Sequence, residues 1–248
     1  MRARAAGPLR GAVAAVGFLT VIPIPARRGE EIHLGRIWFP LVGAAVGLVA
    51  GAVDWGLTPL VGPGPGAVAA MGTLALITGG LHLDGLSDSA DGLFGGHTRQ
   101  LRLEIMRDPR AGAFGVVTLV LVLFGQFSTL ATLAHGGVVL ALVVAGAVSR
   151  WFALCVLVAL PYARSEGLGV AWRGGGRLLD AGIGTVLVVP FVWWGGLNAL
   201  IGVGLAALGA TAVSLLAMHR VGGATGDVYG AVVEICQVLV LVGFVVRV

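Results

Sequence analysis

The sequence predicts an all-α, polytopic integral membrane bundle of about seven transmembrane helices, preceded by an N-terminal interfacial or partly inserted helix. Three observations predict it. Of 248 residues, 57% are hydrophobic and only 11% are charged, and the mean hydropathy is +0.97. A soluble domain carries about 25% charge because its surface must be wetted, so most of this surface faces lipid. Long stretches lack Asp, Glu and Arg altogether. All 16 basic residues are arginine, and they fall in clusters between the apolar runs.

A helix needs about 20 apolar residues to cross roughly 30 Å of hydrocarbon. Residues 1–26 carry arginines and then an apolar run, but lack a small-x-small cleavage site. Residues 11–22 therefore read as an interfacial helix ended by Pro23 and Pro25. Residues 37–53, between Arg36 and Asp54, form the first span. The uncharged run 55–83 supplies one span after its Pro/Gly-rich start, while 111–149 and 181–219 are each long enough for two spans joined by a tight turn. The span 138–160 contains Arg150, and 228–246 is the last. The whole of 1–248 forms one membrane domain, with no room for a separate soluble one. Glycines spaced like Gly43, Gly47 and Gly51 suit close helix packing in lipid. Cys155 and Cys236 both fall inside spans and read as small apolar fillers.

Threading the spans between the arginine clusters puts every multi-arginine segment on one side. The opposite connections, near residues 54–64, 134–137 and 195–197, carry no arginine. By the positive-inside rule the basic side is cytoplasmic, which places the protein in the inner (cytoplasmic) membrane. The net charge of +4 follows from this asymmetry and gives no support to nucleic-acid binding.

Five of the 12 acidic residues lie within a short stretch, Asp84, Asp88, Asp91, Glu104 and Asp108, so the segment 82–110 is the candidate catalytic face. On a continuing helix, Asp84, Asp88 and Asp91 stand at i, i+4 and i+7 and share one face. Carboxylates that close repel one another unless a cation neutralises them, and an all-oxygen set suits Mg²⁺, which takes one or two carboxylates plus substrate phosphates. Glu104 and Asp108 form a second acidic pair, and Arg99, Arg102, Arg107 and Arg110 are interleaved as phosphate-binding forks. Together they point to transfer of a phosphorus-containing group. A generic charged loop would simply pair its own acids and arginines; the aspartate spacing at a span's end, with glycines on both sides, favours the site. Leu86 excludes an EF-hand loop.

A second polar cluster, Gly222-Gly-Ala-Thr225-Gly-Asp227-Val-Tyr-Gly230, lies at the mouth of the last span on the same side. Its glycines and a starting helix suit a phosphate, and Asp227 and Thr225 are candidates for substrate binding. Arg150, near mid-span, is costly in lipid and requires a partner, either Glu234 or a substrate phosphate. His82, before the first acid, reads as a hydrogen-bonding helper; His33, His97, His135 and His219 show no recognisable spacing.

These motifs carry a resemblance. The segment His82-Leu-Asp-Gly-Leu-Ser-Asp-Ser-Ala-Asp-Gly92, then Leu103-Glu-Ile-Met-Arg-Asp108 and Gly112-Ala-Phe-Gly115, strongly resembles the cobalamin synthase family. Phe18-Leu-Thr-Val-Ile-Pro23, Phe39-Pro-Leu-Val-Gly43, Ser149-Arg-Trp151, Leu160-Pro-Tyr-Ala-Arg-Ser-Glu-Gly167 and Gly223-Ala-Thr-Gly-Asp227 agree in order, so the resemblance covers essentially the whole chain. Ser87 and Pro109 depart from the expected pattern without touching a carboxylate.

The resemblance implies the last step of nucleotide loop assembly in coenzyme B12 biosynthesis. The substrates would be adenosylcobinamide-GDP and α-ribazole or its 5′-phosphate, the leaving group GMP, and the cofactor Mg²⁺ at Asp84, Asp88 and Asp91. Asp84, Asp88, Asp91, Glu104 and Asp108 would be catalytic; His82, Arg107, Arg110, Arg150, Thr225 and Asp227 would bind substrate. A homo-oligomer is compatible with the sequence. Two other classes compete. Another Mg²⁺-dependent membrane phosphotransferase would also use aspartates at helix ends, but the CDP-alcohol pattern needs Ala and Arg where Asp88 and Ser89 stand. A secondary transporter would place its ionisable groups near mid-bilayer and often show a repeat; only Arg150 and Glu234 fit.

Overall fold

A computed structural model describes residues 8–23, 35–164 and 177–247. Arg27, Arg28, Arg173 and residues 165–167 of the Leu160 motif lie outside them. The short helix α1 (Pro8–Leu19) leads in. Its end is held to the bundle by Val21 N–H, which donates to Ile77 O at 2.8 Å, and by Phe18 stacked on Phe39.

A single 3₁₀ turn, Arg36–Trp38, runs into α2 (Phe39–Val61), with Pro40 in its first turn where no amide hydrogen bond is lost. The helix continues well past the boundary expected at Asp54. Its stop is Gly62, at φ 89°, and Asp54 lies buried inside the bundle instead of marking a solvated end.

The apolar run expected to pass straight into the acidic segment is broken. Helix α3 (Pro63–Thr78) ends at Gly79 and Gly80, both left-handed (φ 62° and 70°), and α4 (Leu81–Gly95) departs at 88° to it. Two successive left-handed residues are cheap only for glycine, which is why the pair sits there. The acids thus belong to a fresh helix, not to the end of a span.

Helix α5 (Arg99–Ile105) is followed by α6 (Ala113–Thr132), a 3₁₀ turn at His135–Gly137 and α7 (Val138–Ala159). Next comes α8 (Arg177–Val221), far too long for one crossing at about 1.5 Å per residue. It folds back at Gly196, whose backbone (φ 62°, ψ −146°) only glycine adopts readily. The first arm runs along α7, with Gly184 against Leu154 and Gly195 against Val144. Gly195 also meets Phe244 of α9 (Gly226–Val245), and the second arm returns along α9 through Gly202 against Val240 and Gly209 against Ile235.

Five helices of the described residues are long and apolar enough to cross a membrane, six if the bent α3–α4 pair is taken as one broken span. Counting the two arms of α8 separately gives the expected seven. The α7 helix is the hub, buried on most sides, whereas α8 and α6 turn broad apolar surfaces outward, including exposed Phe124, Trp193, Trp194 and Leu208. In water such a surface would aggregate; in lipid it is the solvent-facing side. The tightest seam joins α2 to α7. A Cβ added to Gly43 would lie 2.1 Å from Gly146 O, and one added to Gly47 equally close to Leu142 O.

Described arginines other than Arg150 and Arg247 gather at one end of the bundle. There Arg36 pairs with Asp180, Arg99 with the carbonyls of Ala163 and Val221, and Arg164 with Asp227. The grouping agrees with the charge pattern along the chain. The one β feature among the described residues is an isolated parallel bridge, Tyr162–Ala224, at the same end.

Candidate active site at one end of the bundle

Helix α4 meets α9 where both are glycine. A Cβ on Gly85 would lie 2.9 Å from Asp227 O and 3.2 Å from Gly230 Cα, and one on Gly230 would lie 3.2 Å from Gly85 Cα. No other residue permits backbones this close. The contact brings Asp84 and Asp88 beside Asp227: Asp88 feels the charges of Asp84, Asp227 and Asp91 as repulsive and that of Arg164 as attractive.

The three aspartates on the α4 face do not form one cage, because they sit at different depths. Asp84 is exposed, Asp88 half-buried and Asp91 buried. Both carboxylate oxygens of Asp91 accept backbone hydrogen bonds at the start of α6, from Gly112 N–H at 2.7 Å and Gly115 N–H at 2.9 Å. Asp91 therefore caps α6 from another helix, where its negative charge also suits the helix dipole. This explains the spacing Gly112-Ala-Phe-Gly115: a Cβ at either glycine would lie 2.4 Å from an Asp91 oxygen. Among the described residues, no three His, Cys, Asp or Glu side chains are grouped to hold a metal ion. What remains for Mg²⁺ is the all-oxygen pair Asp84 and Asp88, which fits an ion that completes its shell with phosphate oxygens and water.

Asp227 is set by three independent devices. Thr225 caps α9 by accepting from Val228 N–H at 3.3 Å, and its hydroxyl also donates to Asp227 Oδ2 at 3.1 Å. Arg164 Nη2 donates to the same oxygen at 2.8 Å. The chain that carries Arg164 is laid against residues 222–225 by Ala163 N–H to Ala224 O (2.8 Å) and Ala224 N–H to Pro161 O (2.9 Å). Arg99 of α5 then staples both strands, donating to Ala163 O at 2.7 Å and Val221 O at 2.8 Å. The second polar cluster thus reaches the first, as the sequence suggested. Arg164, absent from the sequence-based site, and Arg99, expected as a phosphate fork but spent on backbone carbonyls, are what lock it. Arg164 lay within the Leu160-Pro-Tyr-Ala-Arg motif, and that was its available signal.

Glu104 and Asp108 are not a helical pair, because α5 ends at Ile105. Glu104 is exposed and accepts from Gln100 Nε2 at 2.9 Å. Asp108 is gripped by Arg110 through Nε and Nη2 at 2.9 and 2.7 Å and through the Arg110 amide, which pushes its carboxyl down to about 2. Arg107 and Arg110 are exposed at this end, whereas Arg102 is buried and reaches Leu93 O.

Arg150 and His82 are both buried. Arg150 does not hydrogen-bond to Glu234, one of its two expected partners. Its Nη1 donates to Gln237 Oε1 at 2.6 Å and to Ser149 Oγ at 3.1 Å, and its Nη2 stands 3.4 Å from His82 Nδ1. Glu234 accepts instead from Gln126 Nε2 at 2.9 Å, acting on Arg150 only through its charge. A glutamine fits because Glu234 already supplies the opposing charge, so Gln237 need supply only an acceptor. Gln126 and Gln237 were legible as polar residues within apolar spans.

Comparisons with known proteins bear on the family. A family model described as cobalamin-5-phosphate synthase matches residues 11–245. Among curated relatives, the adenosylcobinamide-GDP ribazoletransferase of Chlorobium phaeobacteroides is 38% identical over 242 residues, covering 94% of this chain and 96% of its own. The protein of that name from Ralstonia pickettii is 40% identical over 237 residues, 92% of each chain, and that from Escherichia coli O17:K52:H18 is 35% identical, covering 92% and 96%. No solved structure matches. A match over nearly the whole chain, with the carboxylate and arginine motifs assembled at one end of a membrane bundle, places this chain in the cobalamin-5-phosphate synthase family.

Proposed function

We propose that the chain joins α-ribazole, or its 5′-phosphate, to adenosylcobinamide-GDP with release of GMP, and that the reaction takes place at the Asp84–Asp88–Asp227 end of the bundle. The observation that carries this reading is the gathering of these carboxylates with Arg164 where α4 and α9 touch. The ribazole hydroxyl oxygen bonds to the phosphorus joined to the aminopropanol arm, and the bond from that phosphorus to the GMP oxygen breaks. Asp88, between Asp84 and Asp227, takes the hydroxyl proton. Arg107, exposed at the rim, holds phosphate oxygens through its forked donors, and Arg110 adds only the donor left over from its grip on Asp108. Asp84 and one oxygen of Asp88 would hold Mg²⁺, which would neutralise the negative charge of the diphosphate and leave the other Asp88 oxygen for the proton. Asp227 and Thr225 shape the floor, Asp91 holds α6 in place, and His82 with Arg150 supports α4 from beneath.

The arginine-rich end faces the cytoplasm and the bundle lies in the inner membrane. The asymmetry of arginine between the two ends supports this side. Purified protein in detergent, given adenosylcobinamide-GDP, ribazole and Mg²⁺, is expected to form cobalamin and GMP, and failure to release GMP removes the reading. A cysteine replacing His97 is expected to be labelled only from the cytoplasmic side, and one replacing Leu60 only from outside.

A further inference from the structure

The opposite end of the bundle holds a polar group that the reaction does not use. Asp54 lies fifteen residues beyond Phe39 on α2, about 22 Å along the helix from the arginine-rich end. It is 2% exposed, and its Oδ2 has no hydrogen-bond partner. One turn on, Thr58 Oγ1 is likewise buried without a partner, as is Nδ1 of His135 in the turn between α6 and α7. All three residues line one cavity of about 220 Å³, walled otherwise by Pro63, Leu130 and Val138. Four segments therefore converge on it: the last turns of α2, the start of α3, the end of α6 and the α6–α7 turn. The His135 ring is fixed by stacking on Trp55, with centroids 5.8 Å apart and planes 13° off parallel. Gly66 of α3 packs against two of these side chains, since a Cβ there would lie 2.1 Å from Thr58 Oγ1 and 2.9 Å from Asp54 Oδ1.

A buried carboxylate without a partner is costly, and three orphaned polar atoms around one cavity point to a single occupant. Water would satisfy their hydrogen bonds but would leave the Asp54 charge answered only by the neighbouring His135; a cation held by both side chains does both. Imidazole nitrogen beside carboxylate and hydroxyl oxygen suits a borderline ion of the Zn²⁺ class, whereas Mg²⁺ and Ca²⁺ favour oxygen alone. At about 30 Å³ per water, the cavity leaves room for waters to complete the shell. We propose that this cavity binds one Zn²⁺-class divalent cation through Asp54 and His135, with Thr58 and water as further ligands. The ion ties the α2–α3 corner to the α6–α7 turn on the face opposite the carboxylate site. With two strong protein ligands it is an exchangeable site, more open than a four-residue structural one. The inference stands apart from the reaction proposed above.

The test uses the full chain in detergent, stripped with a chelator, given Zn²⁺ alone and passed over a desalting column. Wild type is expected to retain one equivalent and to melt at a higher temperature with it. Asp54→Asn and His135→Gln each lose the equivalent and the shift while keeping transferase turnover. His97→Ala and His219→Ala, at the other end, keep both. Co²⁺ in place of zinc is expected to give visible bands of nitrogen and oxygen ligation without a thiolate band. Retention of zinc by either Asp54→Asn or His135→Gln, no retention by wild type, or a thiolate band from Cys155 or Cys236 each overturns the proposal. The Co²⁺ spectrum of wild type decides the matter even where a variant fails to fold.

Discussion

Two of the glycine-closed helix pairs in this bundle serve different ends. Between α2 and α7, Gly43, Gly47 and Gly51 meet Gly146, Leu142 and Val139 along an apolar seam. Between α4 and α9, Gly85 meets Gly230 at a single crossing flanked by Asp84, Asp88 and Asp227. The first seam repeats every turn and adds contact over the length of two spans, so it holds the fold together. The second touches at one point and adds little area. What it does is bring like charges close enough to need a cation or a substrate between arginines. Close approach is the same physical device in both; repetition makes it structural, and a single charged crossing makes it chemical.

The largest expected effect breaks the first seam. Gly47→Leu must push α2 off Leu142 O, so the protein is expected to lose its cooperative melt and be degraded on expression, whereas Gly85→Val keeps a melting transition and loses turnover. If both variants behave alike, the distinction fails. Next, Asp88→Asn keeps shape and removes charge. Turnover is expected to fall at least about 10²-fold, the usual scale for a lost general base, with the melting temperature preserved. Steady-state GMP release at saturating and limiting Mg²⁺ measures it.

A smaller effect concerns the polar cluster beneath the crossing. Arg150→Ala leaves Gln237 and Glu234 buried without their cation, a loss on the order of 1–3 kcal/mol for each stranded group. A double-mutant cycle read from melting is expected to couple Arg150 with Gln237 more strongly than with Glu234, because only Gln237 receives a hydrogen bond from it. Stronger coupling to Glu234 would restore the simple ion pair. The smallest effect lies at the exposed rim. Asp108 has its carboxyl held at about 2 by Arg110, against 3.8 for the free group. The stabilising pair is therefore fully present above about pH 3.8 and lost as pH falls through 2. The melting difference between wild type and Asp108→Asn should be small and flat from pH 5 to 9, closing only in strong acid; a change near neutral pH would sink this account.

Much of the fold was legible because lipid enforces it. A membrane span must be apolar along its whole length, so composition and run length alone marked α6, α7 and α9 closely, the start of α2 but not its end, and even the turn between the two arms of α8 near residues 195–197. The arginine clusters likewise marked one end. The helix boundary at Gly79-Gly80 was not legible, because two adjacent glycines are compatible with a tight helix interface as well as with a break; the 88° turn depends on how α3 and α4 pack on their neighbours.

At the site, the sequence by itself determined which residues carry charge, their helical spacing and the family to which they belong. It did not determine which charges are free. Asp84, Asp88 and Asp91 look equivalent at i, i+4 and i+7, yet only the tertiary structure sets Asp91 against the amides of Gly112 and Gly115, removing it from the open group. The same holds for Arg150, satisfied by Gln237 from a distant helix, and for Arg164, carried to Asp227 by the bridge between Tyr162 and Ala224. Spacing along one helix is a local property, readable from the chain. Whether a carboxylate caps a neighbouring helix or stays open to a ligand is decided by what packs against it, and that depends on residues far away in sequence.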